Sequence, residues 1–302
     1  MSLEFELGEW DRQAARKIFG ERDVGQAILE VIDAVQCFFL ASSAGMLFGL
    51  TLRDGSRVAL KALRPRPGLS AGRAVQQALY ERGFPCPRPL LGPVALGDGY
   101  AVVDEWIDGE QRDLHEPPRR RQAALLLAEL VTLAPQRSDL PRALERTGLF
   151  PRPHHPRFDF RRPDGQWIDK AAMRVIDSLD SIAQRVVGHS DWGARHFGWV
   201  DERIAVVYDW PDSVALETEE TIVGQASVVF PSTWDLPVEP KAAMRAESDA
   251  FVGEYEEAAG RPLDRRRVEA AQTYLLAYCA RCELSDLDGQ DGDFQVALRE
   301  RL

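Results

Sequence analysis

With 302 residues, of which 45% are hydrophobic and 28% charged, the chain has the composition of an ordinary folded protein and the length to bury a large core in one or two domains. Its net charge of −11 argues against a general nucleic-acid binder, and no apolar run approaches the roughly 18 to 20 residues of a membrane span. Four cysteines are too few for a disulfide framework, and the first residues lack the basic and apolar regions of a secretory signal, so the reducing cytoplasm is the expected compartment.

In chain order, residues 9–34 carry a mainly helical pattern. Three strand-like runs follow, 35–42, 46–53 and 57–63, the last two joined by an Asp54-Gly55 hairpin signal. A helix is expected over 70–83, ended by Gly83. The proline-rich run Pro85–Pro89 then forces extended chain, and two further strands are expected at 91–96 and 100–106. Pro117 and Pro118 open a helix carrying Ala124, Leu125, Leu127, Ala128, Val131 and Leu133. Residues 135–168, rich in Pro, Arg and His, read as irregular. Next come a helix over about 170–186, short strands at 196–200 and 203–208, and helices near 217–229, 240–259, 264–284 and 293–301. Glu239-Pro240 and Asp264 are the candidate caps. Cys279 and Cys282 fall on one face of the penultimate helix, as packing residues. Strands followed by helices mean an α+β chain: a small antiparallel β lobe, 1–106, and a larger helical lobe, 107–302, with a ligand cleft between them.

The residues that carry chemistry converge on phosphoryl transfer. Asp191 ends a His189-Ser-Asp191 turn, and Asp209 follows the apolar run Ile204–Tyr208. Such chemistry needs one carboxylate to accept the proton of an attacking hydroxyl and another to hold a metal on the nucleotide phosphates. A carboxylate delivered by a buried strand also needs a partner, and Mg²⁺ is the obvious one. Lys61, on the third strand, is placed to reach nucleotide phosphates. Ser42 and Ser43, in the small-residue loop between the first two strands, have hydroxyls and backbone amides suited to the same phosphates. The segment Asp104–Gly109 joins the lobes, and the main chain at Glu105 and Ile107 offers the acceptor and donor that an adenine edge needs. His189 reads as a brace of the loop rather than a catalyst.

On these residues the chain resembles the aminoglycoside phosphotransferase (choline kinase-like) family of small-molecule phosphotransferases. The matching parts are Lys61, Gly83–Pro87, Glu105–Gly109, His189–Asp191 and Tyr208–Trp210, within roughly 35–215. The resemblance implies a protein kinase-like bilobal fold, ATP as donor, Mg²⁺, and a small-molecule hydroxyl as acceptor. It makes Asp191 the base, Asp209 a metal ligand and Lys61 the phosphate contact. The excess of acid lies after residue 209, where 19 Asp and Glu stand against 9 Lys and Arg, so a cationic acceptor is one expectation.

Two departures from the family pattern bear on activity. His196 holds the position of the second metal ligand, where an amide is expected, and imidazole suits Mg²⁺ poorly. Either one metal site is lost, or a metal that accepts nitrogen such as Mn²⁺ is used, or His196 turns away. The helix over 70–83 should also supply a glutamate to Lys61. Its acid is Glu81, near the far end, which leaves Gln76 or Gln77 as neutral partners. These departures keep a second reading open, a kinase-fold protein that binds a nucleotide or metabolite without efficient transfer.

Overall fold

The computed structural model describes residues 3–42, 45–143, 148–151, 153, 158–179, 184–233, 236–287 and 291–302. The N-terminal part is a five-stranded antiparallel sheet. Its strands are β1 (Ala34–Ser42), β2 (Met46–Leu52), β3 (Arg57–Leu63), β4 (Pro89–Leu96) and β5 (Gly99–Glu105), in the order β1-β2-β3-β5-β4. Two helices precede it, α1 (Glu9–Phe19) and α2 (Val24–Val31), where the sequence suggested one helical stretch. Gly20 ends α1 at φ 63°, and the Asp23 side chain caps α2 by accepting from the Gln26 amide at 2.8 Å.

Alternation along the strands gives the sheet two distinct faces. Phe48, Leu50, Val58, Leu60, Ala62, Ala101 and Val103 are buried together with Ile18, Phe19 and Ile28 of the two N-terminal helices. Each large side chain in such a core stabilises the fold by about 1.5–3 kcal/mol. The opposite face carries Arg57, Ala59 and Lys61 of β3, paired in register with Thr51, Gly49 and Leu47 of β2 and, at Lys61, with Val102 of β5. Period two therefore turns Lys61 away from this core.

Helix α3 (Leu69–Glu81) crosses the Lys61 face between β3 and β4. Leu69 packs with Leu63 and Val102, while Val75 and Leu79 join the core of the C-terminal part, so α3 belongs to both. Its buried Arg73 is the anchor. One guanidinium nitrogen donates to Asp104 of β5 and, at 2.9 Å, to Gln76, and the other donates to the carbonyls of Leu91 and Val103.

The C-terminal part is built on α4 (Pro117–Leu133), α5 (Gln166–Leu179), α6 (Glu219–Val229), α7 (Arg245–Ala259), α8 (Arg265–Asp286) and α9 (Asp293–Arg299). Asp264 caps α8 as expected, accepting from the amides of Arg266 and Arg267. Glu239-Pro240 does not cap α7, which starts five residues later with Met244 at its N-cap. Helix α5 begins four residues earlier than the sequence suggests and ends at Leu179. The apolar residues after it belong to a strand, β6 (Arg185–His189). The expected strand pair is present as β7 (Phe197–Val200) and β8 (Arg203–Val207). A further strand, β9 (Val214–Thr218), pairs with β6 and takes the residues that would have opened α6. Among the described residues no helix is long and apolar enough to cross a membrane.

Candidate active site

Three short strands bring the acidic residues of the C-terminal part to the Lys61 face. Asp191 follows β6. Its loop is tied to the segment before β9 by the Ser190 amide and hydroxyl, which donate to the Ser213 carbonyl at 2.7 and 3.0 Å. His189 is buried and braces the loop from inside: its Nδ1 accepts from the Asp191 amide, and its Nε2 lies 3.3 Å from the Tyr208 carbonyl. Burial lowers its pKa to about 4, with the nearby His196 adding to the effect, so it serves as a neutral strut.

Asp209 follows β8 at φ 73°, in the left-handed region that non-glycine residues seldom adopt. That turn aims the carboxylate back at the sheet. One oxygen accepts from Lys61 and the other from the Ser213 hydroxyl. Asp212, three residues on, also accepts from Lys61, at 2.5 Å. Burial opposes ionisation of Asp209, but Lys61 and His196 outweigh it and hold the carboxyl far below the usual carboxylate range. Burial likewise opposes the charge on Lys61, and the two carboxylates outweigh it, raising the ammonium pKa.

The Asp191 carboxylate is held at both ends. One oxygen accepts from Arg195, and the other lies 3.0 Å from His196 Nε2. Burial would raise its pKa, but Arg195 and then His196 prevail, and the carboxyl sits well below its ordinary value. His196, in the single 3-10 turn Ala194–His196, does not turn away. Its Nε2 faces Asp191, the Nε of Arg195 at 3.0 Å and Asp209 at 3.9 Å. Asp191, His196 and Asp209 can each offer a ligand atom such that all three lie within 4.8 Å of one another. The two carboxylates suit a hard cation. The imidazole nitrogen suits it less, and it already lies between a guanidinium and a carboxylate.

Of the remaining sequence candidates, Ser42 stands apart. It pairs with Met46 on the core side of the sheet, and its hydroxyl donates to Asp11 of α1 at 2.5 Å. Ser43 lies outside the described residues. Glu105 ends β5, its amide donating to the Arg88 carbonyl, and the Ile107 carbonyl accepts from the Tyr208 hydroxyl at 2.9 Å. Neither glutamine of α3 partners Lys61: Gln76 donates to Asp104 and to the Pro87 carbonyl, and Gln77 to Glu81.

Three features escaped the sequence reading. Arg195 and Asp212 lie four residues after Asp191 and three after Asp209. Their type and offset were the available signal. The third is aromatic. Phe38 of β1 meets Trp106 edge-on at 4.9 Å, and Phe39 lies 5.5 Å from the same ring, beside the connection between lobes. Gly49 makes room for them, since a Cβ there would come within 2.8 Å of both phenylalanines.

No protein-family model and no curated sequence matches the chain, but its fold is shared widely among solved structures. It is similar to the amicoumacin kinase hAmiN, solved with AMP-PNP, Ca²⁺ and Ami (TM-score 0.67, 14% identity, 93% of this chain and 92% of that one). It is also similar to the choline kinase LicA from Streptococcus pneumoniae (0.58, 12%, 91% and 95%) and to an aminoglycoside phosphotransferase from Alicyclobacillus acidocaldarius (0.55, 14%, 93% and 93%). The class is thus the protein kinase-like bilobal fold, a small antiparallel lobe and a larger helical one. Within that class, the solved structures it resembles are small-molecule kinases, as the resemblance on Lys61, His189–Asp191 and Tyr208–Trp210 implied.

Proposed function

We propose that the protein is an ATP-dependent phosphotransferase that moves the γ-phosphoryl group to a hydroxyl of a small molecule. The observation that carries this reading is the meeting of Lys61 with Asp209, 148 residues further along the chain, and of Asp209 with Asp191 beside it. Asp209, with Asp191 or His196 beside it, would hold Mg²⁺, which when bound neutralises phosphate charge. Mn²⁺ is the natural alternative if the His196 nitrogen coordinates. Lys61 contacts the phosphates, and the main chain at Glu105 and Ile107 meets the base edge, with Phe38, Phe39 and Trp106 as an apolar platform. Asp191 orients the acceptor hydroxyl and takes its proton late in transfer. Positioning and charge neutralisation are most of what this reaction asks of a protein.

A second reading, a nucleotide- or metabolite-binding protein without efficient transfer, is favoured by one observation. Both oxygens of Asp191 are engaged by Arg195 and His196, which lowers its basicity. A cationic acceptor draws limited support from the acidic C-terminal third. Glu217, Glu219, Glu254 and Glu256 there are each paired with an arginine.

Titration calorimetry with ATP tests the reading, run with Mg²⁺, with Mn²⁺ and without metal. The kinase reading expects metal-dependent binding that Asp209→Ala abolishes, followed by phosphoryl transfer in an acceptor screen. Binding indifferent to metal, or His196→Asn creating activity where wild type has none, favours the second reading. No binding of ATP under any condition rejects the kinase reading and the nucleotide-binding form of the second.

A further inference from the structure

We propose that Asp212 is the residue that positions Lys61, supplying from the C-terminal lobe the carboxylate that α3 does not provide. This rests on the kinase reading above. Helix α3 has one acid, Glu81, which is exposed and accepts from Gln77 one turn back. Its inward polar residues, Arg73 and Gln76, are committed to Asp104. Lys61 is instead gripped by Asp212, whose side chain is only 10% exposed and whose second oxygen lies 3.4 Å from Arg66 in the connection leading to α3. Asp212 thus ties two cations of the N-terminal lobe to the C-terminal one.

The packing of α3 shows how Asp212 gets there. Gly72 lies directly against Pro211, and a Cβ at that position would run into the Pro211 carbonyl oxygen. The backbone before Asp212 therefore fills the space that a side chain on this face of α3 would otherwise occupy. A glycine at 72 and an acid at 212 are two halves of one arrangement.

The two carboxylates on Lys61 then have separable roles. Asp209 lies beside Asp191 and His196 and is the one a cation would recruit. A divalent ion held there would repel the ammonium, and Asp212 would keep Lys61 beside the phosphates once Asp209 is taken. Asp212 touches neither nucleotide nor acceptor in this scheme. It acts through Lys61.

The test is a double-mutant cycle on the full chain, read by calorimetric binding of AMP-PNP with Mg²⁺. Asp212→Asn is expected to weaken binding roughly tenfold, the size of one charged hydrogen bond. In a Lys61→Met background the same change is expected to alter binding by less than roughly twofold, because the partner it acts through is gone. Asp212→Glu, which keeps the carboxylate, should stay close to wild type. Equal losses with and without Lys61 would make Asp212 a general support of the loop and overturn the proposal. Urea unfolding of the same four proteins gives a second reading that needs no ligand, with non-additive effects expected at positions 61 and 212. If wild type binds no nucleotide, the kinase reading fails on its own, and additive urea midpoints would then overturn the pairing separately.

Discussion

Arg73 and Lys61 lie over the same side of the N-terminal sheet, each held by aspartate, and they differ in how completely their surroundings answer them. Arg73 has one carboxylate, one amide and two main-chain carbonyls, and the set is neutral and closed. Lys61 has two carboxylates for one charge, with Arg66 only at the edge. Asp104, beside Arg73, is pushed above the ordinary carboxylate value by burial despite its partners, whereas Asp209 and Asp191 are driven below it by the cations around them. A saturated pair fixes a helix. A pair with surplus negative charge is ready to exchange its cation for another, as the proposed nucleotide and its metal would require.

The comparison is most exposed to failure in the cleft. Asp191→Asn keeps the shape of the loop and is expected to lower phosphoryl transfer by roughly 10²- to 10⁴-fold, measured with an acceptor found by screening. Transfer unchanged by it would remove Asp191 from the chemistry. The closed pair comes next. Arg73→Met leaves Asp104 buried without its cation and is expected to destabilise the protein by about 3–5 kcal/mol in urea unfolding, with no recovery on adding Mg²⁺. Lys61→Met is expected to cost less, about 1–2 kcal/mol, because Asp209, one of the two carboxylates it frees, is nearer solvent than Asp104 (21% against 11% exposed) and lies beside Asp191 and His196, where a divalent ion can replace the lost charge. Millimolar Mg²⁺ should restore most of that loss, and equal insensitivity to Mg²⁺ in both variants would erase the distinction drawn here.

The smallest effect is one of pH, away from the cleft. Glu283 of α8 accepts from the amides of Phe294 and Gln295 at the start of α9, and burial lifts its pKa from 4.5 to about 7. A raised folded-state value means that its contribution is complete below pH 4.5 and lost as pH rises through 7. Glu283→Gln keeps an acceptor that never ionises. At pH 8 it should therefore be more stable than wild type by about 1 kcal/mol, a figure discounted for the partial exposure of the group, with the gap closing near pH 4.5. Thermal melts across that range check it.

What the sequence made legible follows the range of the interactions involved. The strands β1 to β5 were readable because alternation and the Asp54-Gly55 turn are local signals. The cap of α8 was readable because Asp264 acts on amides two and three residues away. Strands β6 and β9 were not, since each has five residues and finds its partner 25 to 33 residues along the chain. Five apolar-rich residues beside a helix carry no period of their own, so Arg185 and Val186 were absorbed into the helix before and Glu217 and Thr218 into the helix after. In the site, Lys61, Asp191, His196 and Asp209 were legible by type and spacing, and the fold brings the four together. The partner of Lys61 was sought on α3 because the family resemblance places a glutamate there. It comes instead from a loop 151 residues away in sequence, through a glycine contact that no periodicity announces.

The contact of Gly72 with Pro211 also restricts which relatives of this protein are reachable by mutation. An acid cannot be introduced at position 72 while Pro211 stays in place, because any side chain there meets its carbonyl. Moving Pro211 to admit one displaces Asp212 in the same step. At position 72, then, an acid on the helix and Asp212 in the loop exclude one another, and a path between the two by single substitutions at these positions crosses a protein that has neither. A designer who wants to place an acid at position 72 must therefore change both segments at once.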